Sequence, residues 1–353
     1  MIEVADLCAL SLKKVYKLEL KGHEDCTGSN RAAGTKHGAD KHRPTWKEAR
    51  EAEARDLGYT EQPYVVIIGG GQGGIALGAR LRQPGVPTIN FEKNQKPGDS
   101  WRNRYKSLCP HDPVWYDHLP CMKFPENWPV FAPKDKIGDW LEMYARVMEL
   151  NRWSRSTCKS ARFDEATQEW TVVVDTEGAE VTLRPKPLVL ATGMSAKPNL
   201  PTYKGVDRFK GDQHHSSAHP GPDAWRGKRA VVIGSNNSAH DICAALWEND
   251  VEVTKVQRSS THIVRSETLM DVGLGGLFSE QAVRAGMTTE KADPIFASLP
   301  HKILLSFQIQ LYDKMREMDA DFYTGLEKAG FCLDWGADNS GLFMKYLRRG
   351  SGH

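Results

Sequence analysis

The chain has 353 residues, 40% of them hydrophobic, and a formal net charge of +2 from 47 basic and 45 acidic side chains. That length supports about two domains with cores of their own, and interspersed, nearly balanced charge gives no reason to expect a nucleic acid or an acidic partner. No run approaches the roughly 18 apolar residues of a membrane span, and the first residues lack the order of a secretory signal. Seven cysteines without a C-x-x-C spacing supply neither a zinc knuckle nor a dithiol redox pair. A cytoplasmic protein without membrane segment or metal is expected, its oligomeric state left open.

Residues 10–20 have a helical pattern, and the polar tract that follows reads as a linker. Its histidines, His23, His37 and His42, are irregularly spaced and suit solvated loop positions better than metal ligands. A charged helical segment at 45–57 leads into the apolar run Val65-Val66-Ile67-Ile68, which has the character of a strand buried on both faces of a parallel sheet. Gly69-Gly70-Gly71-Gln72-Gly73-Gly74 follows and satisfies G-x-G-x-x-G; residues 75–82 continue as a helix closed by Pro84-Gly85, and a second strand ends at Glu92. Here Gly69 permits the tight turn, Gly71 the close approach of a pyrophosphate and Gly74 the packing of helix on strand. Glu92, 18 residues beyond Gly74, binds ribose hydroxyls. Six residues could be a simple glycine-rich turn, but strand, glycines, helix, second strand and acid in succession select a dinucleotide site, to which Gly73 and Lys93 are added.

Beyond Lys93 a turn-rich loop contains Gly98 and ends in Trp101, which either flanks a flavin or packs the loop onto its domain. Residues 105–131 are rich in Pro, Trp, Tyr and His without periodicity, as suits an ordered pocket-lining segment. Residues 135–150 read as a helix with Ile137, Leu141, Tyr144 and Met148 on its core face. Three strands at 169–175, 180–184 and 188–191 read as a meander turning at Glu177-Gly178. The small residues Ala191-Thr192-Gly193 then bring backbone close to a ligand at the carboxyl edge of a sheet.

From Arg229 the opening pattern repeats: Ala230-Val231-Val232-Ile233 as a buried strand, Gly234-Ser235-Asn236-Asn237-Ser238-Ala239 as the turn, then a helix and another strand. Only the first glycine is kept; Asn236 is expected to take left-handed backbone angles and Ala239 to admit helix packing. Gln257 stands 18 residues after Ala239, as Glu92 does after Gly74. A carboxylate in that slot holds a free ribose diol and repels a 2′-phosphate, whereas neutral Gln257 followed by Arg258 accepts one. The first turn therefore suits FAD and the second NADPH, the alternative for Arg258 being a surface charge at a strand end. His262 and Arg265 either extend this phosphate-binding edge or are solvated. Residues 273–278 read as a flexible turn, 292–330 as helical with Ile303, Leu304, Phe307, Ile309, Leu311 and Met315 inward, and 342–346 as a last structured fragment. The expected fold class is α/β with two Rossmann-like dinucleotide-binding domains and a β-meander. Residues 1–60 form an N-terminal extension and linker, 61–201 the FAD-binding domain, 202–228 a linker, and 229–353 the NADPH-binding domain with a helical insertion.

With both turns in place, the sequence resembles the flavin-containing monooxygenases, class B flavoprotein monooxygenases, over residues 63–265. Phe209-Lys210-Gly211-Asp212-Gln213-His214-His215 matches the family signature F-x-G-x-x-x-H, although His219 stands where an aromatic follows in the family. Gly98, Trp101 and Ala191-Thr192-Gly193 match flavin-domain motifs, and Asn237-Ser238 matches the Asn-Ser of the NADPH turn. The spacing of Tyr105-Lys106-Ser107, His111-Asp112-Pro113, Leu119-Pro120, Phe124-Pro125, Val256-Gln257-Arg258 and His262 is similar to that of indole-3-pyruvate monooxygenases.

The resemblance implies FAD and NADPH as cofactors, and a small organic substrate with O2 as reactants. It implies insertion of one oxygen atom by way of a flavin C4a-hydroperoxide, in an enzyme of the N,N-dimethylaniline monooxygenase type. His215, Gly234, Asn236, Asn237, Ser238 and Arg258 become NADPH contacts. His111 and Asn237 become candidate catalytic residues, each by itself, His111 being equally readable as a histidine that holds its loop. The protein's share is positioning and water exclusion. Family members continue into a second alanine-threonine-glycine strand that does not occur before His353. The alternative expectation is therefore a truncated, catalytically inactive dinucleotide-binding fragment. A pyridine-nucleotide disulfide reductase is set aside because no cysteine pair supplies the dithiol.

Overall fold

The computed structural model describes residues 41–194, 197–336, 339–341 and 351–352. The helix read at 10–20, His23, His37 and the fragment at 342–346 lie outside the described residues. The chain divides into two compact units, residues 1–103, 119–123 and 135–197 forming one and 104–118, 124–134 and 198–353 the other.

In the first unit, α1 (Trp46–Asp56) begins at a capping box in which Thr45 and Glu48 satisfy each other's backbone N–H. It is held on the unit by polar contacts rather than by a buried apolar stripe. Trp46 Nε1 donates to Glu149 at 2.6 Å, and Glu53 accepts from Arg82 and from Asn151 Nδ2 at 2.6 Å. Four parallel strands, β1 (Val65–Ile68), β2 (Thr88–Phe91), β3 (Arg152–Trp153) and β7 (Leu188–Leu190), lie in the order β3-β2-β1-β7. The continuous apolar run of β1 has its reason here, because alternate residues feed two cores. Val65 and Ile67 pack with Leu81 of α2 (Gln72–Arg82) and Val86, whereas Val66 packs with Leu57, Ile89, Phe91, Val172, Val174 and Leu183. Each such side chain contributes about 1.5–3 kcal/mol when fully buried.

Val172, Val174 and Leu183 belong to a separate antiparallel sheet of β4 (Ser156–Asp164), β5 (Glu169–Thr176) and β6 (Ala179–Leu183). The hairpin between β5 and β6 turns through Glu177 and Gly178, both at positive φ (52° and 89°), as a two-residue turn of this hand requires. The expected meander is corrected on two counts. Its third strand, β7, leaves the hairpin and pairs parallel with β1, and β4 takes the place beside β5. β4 escapes sequence reading because it is a largely exposed edge strand of polar residues without alternation. Helix α4 (Lys134–Val147) follows the short α3 (Asp99–Arg102) and buries Ile137, Leu141 and Tyr144; Met148 lies just past its end, partly buried.

In the second unit, β8 (Arg229–Ile233), α5 (Asn237–Trp247) and β9 (Glu252–Val256) form a parallel β–α–β unit. Ala230, Val232 and Val253 pack with Ile242, Leu246, Val251 and Tyr105, while Val231 and Ile233 are 64% and 55% exposed. The expectation that β8 is buried on both faces is corrected, since α5 covers only one side of a two-stranded sheet. After β10 (His262–Ile263) and the short α6 (Ser266–Thr268), residues 269–274 form a single π turn. The flexible turn expected at 273–278 is corrected too. Phe278 is 1% exposed and meets Tyr116 and Phe296 edge-on. α7 (Glu280–Arg284), α8 (Thr289–Ala297), α9 (His301–Met318) and α10 (Ala320–Lys328) complete the helical part, with α8 and α9 separated at Pro300. The inward row of α9 is Leu304, Leu311, Tyr312 and Met315; Ile303 and Phe307, expected inward, lie on the adjacent row and are 50% and 59% exposed. Among the described residues no helix is long and apolar enough to cross a membrane.

Candidate dinucleotide sites

The glycines of the first turn divide into two kinds when a methyl group is placed on each. A Cβ at Gly69 (φ 111°) would lie 2.3 Å from the Ala191 carbonyl oxygen, and one at Gly74 would lie 1.9 Å from the Gly69 carbonyl oxygen. Those two glycines answer to the chain's own packing. A Cβ at Gly71 meets only Ser100 Oγ at 3.8 Å, and one at Gly73 meets nothing within 4 Å. Gly71 is the N-cap of α2 and supplies no side-chain cap, so the first backbone N–H groups of an 11-residue helix face this space. A pyrophosphate fits these donors and the positive end of the helix. Among the described residues nothing else calls for glycine at Gly71.

Glu92, half-buried at the end of β2, is aimed at the same turn. Its Oε2 accepts from Gly70 N at 2.8 Å, and its Oε1 accepts from Asn94 N at 3.1 Å and Asn94 Nδ2 at 2.8 Å. Lys93 is exposed beside it. Trp101 is tied to the first residue of α2, its Nε1 donating to Gln72 Oε1 at 3.1 Å. Gly98, at φ 85°, lies against α4, where a Cβ would come within 2.1 Å of the Gly138 carbonyl oxygen. Its lack of a side chain thus serves loop packing. Ala191 N donates to Ile68 O at 2.8 Å, carrying Ala191-Thr192-Gly193 past Gly69, with Thr192 and Gly193 exposed.

The second turn keeps the plan with different residues. Gly234 has φ 135°, and a Cβ on it would sit 3.7 Å from that of Ala239. Asn236 does not adopt left-handed angles; at φ −96° and ψ 178° it is extended, as Gly71 is at −74° and −176°. The slot therefore asks for an extended N-cap, which any residue can supply, and that corrects the reason for tolerating Asn236. Gln257 is locked to the backbone, donating to Cys332 O at 2.9 Å and accepting from Cys332 N at 2.8 Å, while Arg258 is exposed. His262 is neither solvated nor part of a phosphate edge. It is 1% exposed, hydrogen-bonded to Asp334 O at 3.0 Å and set edge-on to Tyr312 and Trp335. Arg265 is likewise engaged, with Asp319 and Asp321 each 3.6 Å away and Phe322 under its guanidinium.

The structure brings together the two candidate catalytic residues, 126 positions apart in sequence: Asn237 Nδ2 lies 3.3 Å from His111 Nδ1. His111 Nε2 is 3.8 Å from Asp112 Oδ2. Burial raises the Asp112 carboxyl above the usual range, and burial with the like charge of Asp112 pushes Asp117 up to about 7. Nearby, Tyr105 donates to Asp241 at 2.6 Å and hydrogen-bonds Ser238. Burial raises both Tyr105 and Asp241. Asp112 falls within the His111-Asp112-Pro113 spacing, but neither Asp117 nor Asp241 carries a periodic or motif signal; only burial marks those two.

His215 caps a short turn, its Nδ1 accepting from Ser217 N at 3.2 Å. His219 is 6% exposed and stacks on Trp225 and His214, at centroid distances of 5.3 Å each. An imidazole thus does the packing of the aromatic expected at that position. Burial and the neighbouring charge of His214 hold its pKa below the ordinary histidine value. The same unit contains an open cavity of about 770 Å³ lined by Trp115, Val130, Phe131, Met270 and Asp271 among others, so part of the irregular 105–131 segment does line a pocket.

A family model described as FMO-like, flavin-binding monooxygenase-like, matches residues 64–274. Among curated relatives, indole-3-pyruvate monooxygenase YUCCA1 of Oryza sativa subsp. japonica is 30% identical over 252 residues, covering 71% of this chain and 61% of the relative. Probable indole-3-pyruvate monooxygenase YUCCA9 of Arabidopsis thaliana is 32% identical over 206 residues, covering 58% of this chain and 49% of the relative. The chain thus spans 49–61% of the length of these two relatives. Among solved structures, the flavin-containing monooxygenase from Stenotrophomonas maltophilia superposes with a TM-score of 0.51 at 24% identity, over 57% of this chain and 60% of that one. Cyclohexanone monooxygenase bound to epsilon-caprolactone gives a TM-score of 0.51 at 25% identity, over 57% and 40%. The likeness extends to the mixed α/β fold.

Proposed function

Because the chain belongs to the flavin-binding monooxygenase-like family, we propose that it is an FAD-dependent, NADPH-consuming monooxygenase. It transfers one oxygen atom of O2 to a small organic substrate, with water and NADP as the other products. Residues 61–201 form the FAD-binding domain, 202–228 the linker and 229–353 the NADPH-binding domain. The observation that carries this is the open space at Gly71 and Gly73, before the uncapped start of α2, with Glu92 aimed across it.

When bound, the flavin supplies the redox and oxygen-activating chemistry. The N–H groups at the start of α2 bind the pyrophosphate, Glu92 accepts from ribose hydroxyls through its remaining lone pairs, and Trp101, anchored by Gln72, flanks the cofactor. Arg258 is exposed and has no competing partner among the described residues, which leaves it able to take a 2′-phosphate. Asn237 fixes the ring of His111 and Asp112 lies 3.8 Å from its Nε2, which leaves the imidazole positioned to hydrogen-bond a group on coenzyme or substrate.

The relatives' names make an indolic 2-oxo acid the first substrate class to test, ahead of a tertiary amine of the dimethylaniline kind. Oxygen transfer to a 2-oxo acid would release CO2 and leave the acid one carbon shorter. The test is NADPH-dependent O2 uptake by FAD-supplemented protein with indole-3-pyruvate and with dimethylaniline. Uptake matched by CO2 release with the oxo acid supports the reading. Absence of flavin absorbance after incubation with FAD and gel filtration would overturn it.

A further inference from the structure

We propose that Arg152 is the adenosine-side anchor of the dinucleotide at the first turn, donating from Nε and Nη2 to acceptors on its ribose and adenine. This rests on the reading of that turn as the FAD site. Arg152 opens β3, which pairs with β2 so that Asn90 lies opposite Arg152. It therefore sits one strand outward from the strand that ends in Glu92. Its guanidinium leans on the glycine turn: Nε is 3.3 Å from the place a Cβ on Gly70 would occupy.

Among the described residues, only one of its nitrogens is engaged. Nη1 donates to Ser154 Oγ at 2.7 Å, whereas Nε and Nη2 are buried and have no acceptor among the described residues. Glu92, Asp99 and Glu142 are near enough to favour the charged form, yet each is otherwise used. Glu92 accepts from Gly70 and Asn94, and Asp99 and Glu142 pair with Arg102 at 3.1 and 2.8 Å. Burial alone works against the charge on Arg152. Buried donors of a cation left without acceptors are costly, and a bound ligand at this spot supplies them. The phosphates are served by α2 and the ribose diol by Glu92. What remains on the outward side is the adenosine end, whose ring nitrogens and ribose oxygens accept hydrogen bonds and whose ring offers a face to a planar guanidinium.

The test titrates the purified full chain, stripped of flavin, with FAD by fluorescence quenching and with ADP by competition, for wild type, Arg152→Ala, Arg152→Met and Arg152→Lys. Expected is a loss of roughly 10-fold to 100-fold in affinity for both probes in the Ala and Met variants, with partial recovery in the Lys variant. Urea unfolding without ligand should show Arg152→Met at least as stable as wild type, because the orphaned donors are gone; a merely structural arginine would lose stability there. Wild-type affinity for FAD in the Ala and Met variants, or loss of ligand-free stability parallel to loss of affinity, overturns the assignment alone. Wild-type protein that binds neither probe overturns the first-turn reading and the assignment with it.

Discussion

Replacing Gly71 by alanine separates what the first turn does for the fold from what it does for a ligand. At φ −74° and ψ −176° the backbone is one that alanine adopts, and the added methyl meets only Ser100 Oγ at 3.8 Å. Two small effects oppose each other in the ligand-free protein. Restricting the unfolded chain stabilises by about 0.4–1 kcal/mol, and alanine is a poorer N-cap than glycine by about the same amount. The net change should therefore stay within about 0.5 kcal/mol, a shift of a few tenths molar in the urea midpoint. The same methyl occupies the approach to the α2 N–H groups, and losing one charge-assisted bond to a phosphate costs about 1.5–3 kcal/mol. FAD affinity should fall by at least roughly 10-fold. Gly74→Ala is the internal contrast, since its Cβ would sit 1.9 Å from a backbone oxygen; it should destabilise by about 1–3 kcal/mol or more even without ligand. Urea unfolding and FAD titration on the same preparations measure both quantities. An unaltered FAD affinity in Gly71→Ala, or a ligand-free destabilisation as large as that of Gly74→Ala, would refute the argument.

Arg258→Ala should weaken NADPH binding roughly 10-fold to 150-fold and leave NADH nearly unchanged; equal losses for both coenzymes would remove Arg258 as the 2′-phosphate reader. His240, on α5, is pushed down to about 4 by burial and the nearby Lys255 ammonium. Its folded pKa lies below the unfolded one, so the stability it contributes is complete above about 6.5 and is lost as pH falls towards 4, by up to about 3 kcal/mol. His240→Gln should flatten the acid limb of a stability–pH curve measured by urea unfolding. Asp117 behaves oppositely: its raised pKa means that the folded state holds a proton the unfolded state has released, and stability falls as pH rises from about 4 to about 7. Asp117→Asn should therefore gain about 2–4 kcal/mol over wild type at pH 8 and nothing at pH 4, and an equal gain at both pH values would count against a buried ionising carboxyl.

The α/β class, the two glycine turns and the strand–helix–strand frame around each were legible because they are local. Val65 to Ile68 is apolar throughout, the spacing of Gly69, Gly71 and Gly74 is a short-range constraint, and Glu92 lies one helix and one strand away. Periodicity likewise suffices for the core face of α4, where packing follows from residues a turn apart.

What only the tertiary structure decided depends on partners far away in sequence. β7 chooses β1 over the adjacent hairpin, and polar β4 becomes a strand because β5 offers it an edge. The same local pattern yields β1 with two covered faces and β8 with one, since burial is set by what packs against a strand rather than by the strand's own residues. His262 reads as a polar residue near a phosphate site and proves to be core, because Tyr312, Trp335 and the Asp334 carbonyl converge on it from positions 50 to 73 residues later. The meeting of His111 with Asn237, the raised carboxyl of Asp117 and the orphaned donors of Arg152 have no counterpart in any motif. Charge state and hydrogen-bond satisfaction follow from desolvation and from neighbours in space, and the chain order carries neither.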